Sequence, residues 1–413
     1  MTIQLRRALA GRVYYGWVIV LCCLLASIAV FGTSYTFAVF FDAFIEEFDV
    51  SRTLLAAAFG LQTALIYVMG LAASRLVTLY GQRRVAFLSG VLLTAGLVVT
   101  AFAQSYVGLL AGFGVVTALG MAGLYVVGYA TVPLWFERRR GMAAGIASAG
   151  LGIGLVVVPP GADALIAAEG WRTAMLAIAA VVGGLSGLVA LLFANQPTDV
   201  GADRSVEFSD DHRTDGTATD SRVDDSLRTI LASVRFWLVF VGWTLVFVPL
   251  YVVMSHIVLY ASDAGLGRSV GVLAITVVGV STTAARLSIG PLSDSVGRTR
   301  TFVVCGTLMG LSIGTLVVVQ SPMVFFAVMV VFGVGYGGCG GLIGPQVADL
   351  FGDAHLHTLF AALSVSFAIS GLVAPPLAGY VFELLGGYEI ALLAASAAGI
   401  VGSACVALAK RLE

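Results

Sequence analysis

Twelve apolar stretches, each roughly 20 to 28 residues long, dictate what this chain can become. They lie near 14–41, 53–78, 85–104, 106–134, 142–163, 172–194, 236–261, 269–291, 301–320, 322–348, 357–382 and 388–409. A helix rises 1.5 Å per residue, so about 20 residues cross a ~30 Å hydrocarbon layer. Inside that layer every backbone N–H and C=O needs a partner within the protein, which leaves only helices and closed barrels. A membrane barrel would alternate apolar and polar residues over about 10 positions. None of these stretches alternates. Charged residues make up 11% of the chain, against roughly 25% in a soluble domain. The expected fold is an all-α membrane protein with twelve transmembrane helices seated in a lipid bilayer. The first stretch is longer than a signal-peptide core and lacks a small-residue cleavage site, so it is expected to be retained.

Basic residues are spread unevenly between the stretches. Arg6, Arg7 and Arg12 precede the first, while Arg75, Arg83 and Arg84 follow the second. Arg138, Arg139 and Arg140 follow the fourth, Arg298 and Arg300 the eighth, and Lys410 and Arg411 the twelfth. With Arg204, Arg213, Arg222, Arg228 and Arg235 between the sixth and seventh, 18 of 22 basic residues share one side. Arg52, Arg172 and Arg268 fall on the other side, and Arg286 falls in between. The positive-inside rule therefore expects both termini in the cytoplasm and the chain in the cell membrane. Residues 195–234 hold nine acids and four arginines among Ser, Thr and Gly. They are expected to form a solvated cytoplasmic linker between two six-helix halves, 1–194 and 235–413.

The halves echo one another. "SRLVTLYGQRR" (Ser74–Arg84) and "GPLSDSVGRTR" (Gly290–Arg300) each set a glycine, Gly81 or Gly297, before a basic cluster. Further on, Phe136 precedes Pro159-Pro160, and Phe351 precedes Pro375-Pro376 at nearly the same spacing. Proline pairs at matching places in two halves suggest helix breaks near a site at the repeat interface.

Arg286 sits deep inside an apolar run, with no other charge between Arg268 and Asp294. It lies about 12 Å along the helix from Asp294 at 1.5 Å per residue, too deep for easy snorkelling. A guanidinium cannot shed its proton in a protein, and an arginine at that depth costs about 2.5–3.5 kcal/mol on insertion scales. Its neighbours one and two turns earlier, Thr283, Thr282 and Gly279, include no carboxylate. The expectation is an anion that arrives from outside, held bidentately by the guanidinium fork. Tyr35, Tyr125, Tyr129 and Tyr336 could line such a site with hydroxyls. His256, in the seventh stretch, is the candidate for proton coupling because histidine titrates near neutral pH. The glycine run around Tyr336, "GVGYGGCGGLIG", lacks a phosphate-loop ending and is expected to permit close helix approach. No G-x-S-x-G or H-E-x-x-H motif is present. The five cysteines show no metal spacing. No enzyme activity, catalytic residue, cofactor, metal or nucleic acid is expected, and a monomer is.

"GPLSDSVGRTR" resembles the loop pattern of the major facilitator superfamily, with Gly290, Leu292, Asp294, Gly297, Arg298 and Arg300 at its positions. In the first copy Ser74 and Thr78 replace the glycine and the acid, leaving Gly81, Arg83 and Arg84. The resemblance implies two pseudo-symmetric six-helix halves and a cytoplasmic gate built from these residues. "YYGWVIV", "SYTFAVFFDAF", "WFERRRGMAAGI", "SHIVLYASDAG" and "ARLSIGPLSD" are similar to the monocarboxylate transporter and oxalate/formate antiporter branch. That branch implies a carboxylate ligand at Arg286 and aromatic site positions at Tyr35 and Tyr125. It also implies an acid at Thr282 for proton coupling and, in the oxalate carrier, a second cation at about Ser364. Neither is present, which argues against a dianion. The resulting expectation is a secondary active transporter of a small organic monocarboxylate, working by alternating access with proton symport or a counter-anion. A carrier of the same fold for a drug or sugar, and a membrane anion sensor that does not transport, are the alternatives.

Overall fold

In a computed structural model the described residues are 14–136, 139–200, 227–352 and 355–412. Arg6, Arg7, Arg12, Arg138, Asp353 and the centre of the acidic linker lie outside them. Among the described residues twelve helices are long and apolar enough to cross a membrane. They are α1 (Gly16–Phe48), α2 (Arg52–Tyr80), α3 (Gln82–Ala101), α4 (Tyr106–Tyr129), α5 (Gly141–Glu169) and α6 (Trp171–Leu192). The second set is α7 (Val234–Asp263), α8 (Arg268–Gly290), α9 (Arg298–Val318), α10 (Pro322–Phe351), α11 (Thr358–Leu385) and α12 (Glu389–Arg411). The ends of α6 and α7 that flank the linker define a linker side; the opposite ends form the far side.

The observed helices match the apolar runs, with two informative departures. Helix α1 continues to Phe48 instead of stopping near residue 41, because Asp42, Glu46 and Glu47 leave the apolar window without breaking backbone bonding. It stops at Asp49, whose left-handed φ of 48° ends the turn. The proline pairs do not break their helices: Pro159-Pro160 and Pro375-Pro376 lie inside continuous helix. A proline leaves the carbonyl four residues earlier without its N–H partner. For α11 those carbonyls belong to Gly371 and Leu372, and both lie against Gly60 of α2. A Cβ at Gly60 would come within 2.9 Å of the Gly371 oxygen and 3.0 Å of the Leu372 oxygen. The freed carbonyls are thus sheltered by close packing, and the helix persists.

Helices α1–α6 pack mainly among themselves, as do α7–α12. The sets meet chiefly through α2 against α11 and α5 against α8, pairs related by the sequence repeat. Gly279 of α8 plays the part of Gly60: a Cβ there would lie 2.6 Å from the Gly152 oxygen and 2.8 Å from Leu155 on α5. The glycine run of α10 does pack closely, on two faces. Gly333, Gly337 and Gly340 abut α8, and Gly335 and Gly338 abut α9. Small residues let membrane helices approach where apolar packing alone gives little preference over lipid.

Candidate functional site

Arg286 projects from α8 toward α10, where a Cβ at Gly340 would touch its Nη2 and lie 3.2 Å from Cζ. Only glycine leaves room there for the guanidinium. Its Cζ stands 5.8 Å from the centre of the Tyr336 ring, at the edge of cation–π range. Tyr129, Tyr336 and Tyr35 surround it. Its Nε is buried without a hydrogen-bond partner. Every described ion pair lies elsewhere, so no carboxylate among the described residues neutralises it.

Four of the expected tyrosines gather at this point. The Tyr35 and Tyr336 hydroxyls are 3.3 Å apart and join the two halves. Tyr125 and Tyr129, one turn apart on α4, have ring centres 5.0 Å apart. Phe31 stands edge-on to both, 6.2 and 6.4 Å away. The structure adds two tyrosines that the sequence reading did not weigh. Tyr67 of α2 packs edge-on against Tyr125, and its hydroxyl is 3.4 Å from that of Tyr251 on α7. Tyr67, like Tyr35 and Tyr125, lies close enough to Arg286 to feel its charge. The available signal was position: Tyr67 and Tyr251 sit deep within their spans, away from the interfacial belts that tyrosine favours.

Three other candidates are placed differently. The Thr282 hydroxyl donates to the Gly333 carbonyl at 3.0 Å, and the residue is fully buried against α10. The Ser364 hydroxyl is bonded to its own helix, at the Phe360 carbonyl. His256 sits near the far end of α7 with both ring nitrogens engaged. Nε2 is 2.9 Å from the Pro375 carbonyl oxygen, and Nδ1 is 3.1 Å from the Tyr388 hydroxyl. A carbonyl can only accept, so Nε2 carries the hydrogen and Nδ1 accepts from Tyr388.

The far side is tied across the halves. Arg52 at the start of α2 grips Asp263 at the end of α7 with two bonds, 2.5 and 3.3 Å. The repeat-related Arg268 at the start of α8 pairs with Asp42 at the far end of α1, and with Asp163 of α5 at 3.1 Å. The Thr53 N–H donates to Glu383 of α11 at 2.8 Å. Arg52 also lies 3.9 Å over the Phe382 ring and donates to the Tyr388 hydroxyl at 3.2 Å.

On the linker side the residues expected to form a gate are bonded within their own halves. Arg298 pairs with Asp294 at 3.3 Å and with Asp349 at 2.8 Å, both in its own half. Gly297 supplies the positive φ (99°) that ends α8's helix, and Gly81 (φ 80°) does the same between α2 and α3. Arg83 donates to the Ala190 carbonyl at 3.0 Å, also within its half. Arg84 and Arg300 are exposed, and nothing lies within 4 Å of a Cβ placed at Gly290, Gly341 or Gly344. The residues expected to form a gate are therefore assembled within each half and do not bridge them here.

Comparison with known proteins agrees with this architecture. The pattern of the Major Facilitator Superfamily matches residues 23–287 and 271–413. Monocarboxylate transporter 13 of Rattus norvegicus is 25% identical over 395 residues, covering 94% of this chain and 87% of the relative. Monocarboxylate transporter 11 of Mus musculus is 28% identical over 403 residues, covering 94% and 86%. The fold is similar to that of a bacterial homolog of the human lysosomal transporter Spinster, in an inward-facing and unoccupied conformation. The TM-score is 0.72 at 16% identity, with 96% of this chain and 97% of that one covered. At that identity the likeness concerns the fold alone. Repeat, helix count, loop pattern and full-length matches converge: the chain belongs to the Major Facilitator Superfamily, and the relatives it resembles end to end are monocarboxylate transporters.

Proposed function

We propose that this protein carries a small organic monocarboxylate across the cell membrane by alternating access, with Arg286 as the ligand of the carboxylate. The observation that carries this reading is a membrane-depth guanidinium with a buried, unpartnered Nε and no carboxylate near it. A carboxylate matches the guanidinium fork bidentately, and Tyr129, Tyr336 and Tyr35 can donate hydroxyl hydrogens to the same oxygens. A neutral sugar or a cationic drug would leave that charge without a counter-ion.

The surroundings also restrict the substrate. Among the described residues the groups acting on Arg286 are tyrosines and not a second cation, so a dicarboxylate would leave one charge unpaired. No carboxylate is there to hold an ammonium group, so an α-amino acid would bury an uncompensated cation. The remaining walls are aromatic rings, which suit an uncharged organic body.

Taking the linker side as cytoplasmic by the positive-inside rule, the ion-paired far side and the open space beside Gly290, Gly341 and Gly344 support an inward-facing state. Transport with a proton, or in exchange for a counter-anion, would supply the opposing charge movement. Counterflow in proteoliposomes with a panel of mono- and dicarboxylates, with and without a pH gradient, tests the reading. Exchange of monocarboxylates that is lost in a folded Arg286→Gln variant is the expected result. Full exchange by that variant overturns the assignment of Arg286.

A further inference from the structure

His256, Tyr388, Arg52 and Asp263 form one continuous hydrogen-bonded chain across the far side. Nδ1 of His256 accepts from the Tyr388 hydroxyl at 3.1 Å. That same hydroxyl oxygen accepts from Arg52 Nη1 at 3.2 Å, and Arg52 closes on Asp263. His256 and Tyr388 belong to the second half, and Arg52 to the first. The chain therefore links an ionisable ring directly to a contact that holds the halves together. A cleft of about 400 Å³ lined by Asp42, Glu46, Ser51, Arg52, Phe382 and Glu383 opens beside it, which gives water and protons a way in.

We propose that His256 is a proton site that unlatches the far-side gate, with Tyr388 as the positioning residue that transmits its charge to Arg52. This rests on the transport reading above for its purpose, but not for its physics. With His256 neutral, the imidazole N–H, the Tyr388 hydroxyl hydrogen and three Arg52 N–H groups each have an acceptor. A proton added from the cleft goes to Nδ1, the ring's one basic lone pair, in place of the hydrogen bond it accepts from Tyr388. Nδ1 then donates where it accepted. The Tyr388 oxygen must take hydrogens from both the imidazolium and Arg52, and its own hydrogen loses its acceptor. Two cations now share one phenol oxygen, with Phe41 packed against the imidazole and Phe382 against the phenol ring. Arg52 is the mobile partner, since it reaches in from the edge of the cleft, and its departure frees α2 from α7 and α11. Proton binding and gate opening are then linked: each favours the other.

The surrounding charges are consistent with this assignment. Toward the far side, the charged and titratable groups on the elements packed against His256 are Asp42, Glu46 and Glu47 on α1, Arg52 on α2, Arg268 on α8, Tyr260 and Asp263 on α7, Glu383 on α11, and Tyr388 and Glu389 at the start of α12. Arg52 is the charge that acts on the ring. Burial raises the Tyr388 phenol above its ordinary range, so it remains a donor to neutral His256. Of the four histidines, His212, His355 and His357 belong to the linker or a linker-side loop. His256 is therefore the one histidine on the far side, and comparison with a His256 variant assigns a far-side acid response to it.

The test is a distance measurement without substrate. Spin labels at Gln104→Cys and Gln320→Cys, both exposed on the far side in opposite halves, are introduced with Cys405→Ser and read by double electron–electron resonance in liposomes at pH 7.5 and 5.5. The expected result is a population shift to longer distance in acid, and at least a fivefold smaller shift in His256→Gln. Glutamine keeps a donor for Pro375 and an acceptor for Tyr388 without a titratable charge. Tyr388→Phe, which removes the shared oxygen, is expected to lose at least half of the shift and stands in should His256→Gln not fold. An unresponsive wild type, or a variant that responds as fully as wild type, overturns the proposal. Because no carboxylate is present, failure here leaves the counterflow result untouched, and failure of counterflow leaves this result untouched.

Discussion

Arg286 owes its prominence to a mismatch between its chemistry and its surroundings. A permanent cation with a buried, unpartnered Nε needs an anion or water, and bonds to charged groups contribute about 1.5–3 kcal/mol each. Losing two such bonds in Arg286→Gln should raise the substrate KM at least about 100-fold, measured as concentration-dependent counterflow alongside a folding check by thermal melting. Gly340→Ala is a milder probe. Its methyl would meet Nη2 of Arg286, displacing the guanidinium end without touching the helix contacts. The expected outcome is a several-fold higher KM with unchanged protein yield and melting temperature. Arg286 was legible in the sequence because a charge interrupts an apolar run. Tyr67 and Tyr251 were not, because a tyrosine in a membrane helix fits packing, an interfacial belt or a site equally well, and local sequence does not say which.

At the scale of single helices, the proline pairs are the instructive case. They mark the two helices, α5 and α11, that join the halves, and the repeat made that correspondence readable in advance. What happens at the prolines was not readable, because the carbonyls they orphan are sheltered by residues of another helix. Gly60 of α2 provides that shelter for α11, and Gly279 of α8 lets α5 approach as closely near its own proline pair, each far away in sequence. A valine at Gly279 would meet the Gly152 backbone oxygen and Leu155. Neither can yield cheaply, since overpacking costs about 1–3 kcal/mol. Gly279→Val should lower the melting temperature of the detergent-solubilised protein by several degrees and slow transport. Wild-type melting and transport in that variant would show the α5–α8 approach to be looser than described.

Across the whole molecule, the far side is closed by two repeat-related latches, Arg52–Asp263 and Arg268 with Asp42 and Asp163. Each pairs the first residue of an even-numbered helix with an acid of the other half. Partly exposed ion pairs contribute about 0.2–1 kcal/mol, so breaking one should shift the balance between access states by no more than about fivefold. That is enough to change a cycle without unfolding the protein. Arg52→Asp should raise the far-open population, seen as faster labelling of a cysteine at Ser51. The double variant Arg52→Asp with Asp263→Arg should restore slow labelling, because the pair is re-formed with its charges exchanged. A double variant as open as the single would show that the ion pair itself is not the latch.

The sequence by itself determined the solvent, the helix count, the twofold repeat and the depth of Arg286, because all of these follow from the length and spacing of apolar runs along one segment of chain. Only the tertiary structure decided which residues meet. Tyr35 finds Tyr336 from 301 positions away, Arg52 finds Asp263 from 211, and His256 finds Tyr388 from 132. Contacts of that kind depend on how two six-helix sets pack against each other, and the composition of each helix is compatible with more than one such packing. The partners of Arg298 show the same thing: Asp294 was visible one turn away in the loop, but Asp349, from 51 positions away, was brought to it by the packing of helices within that half.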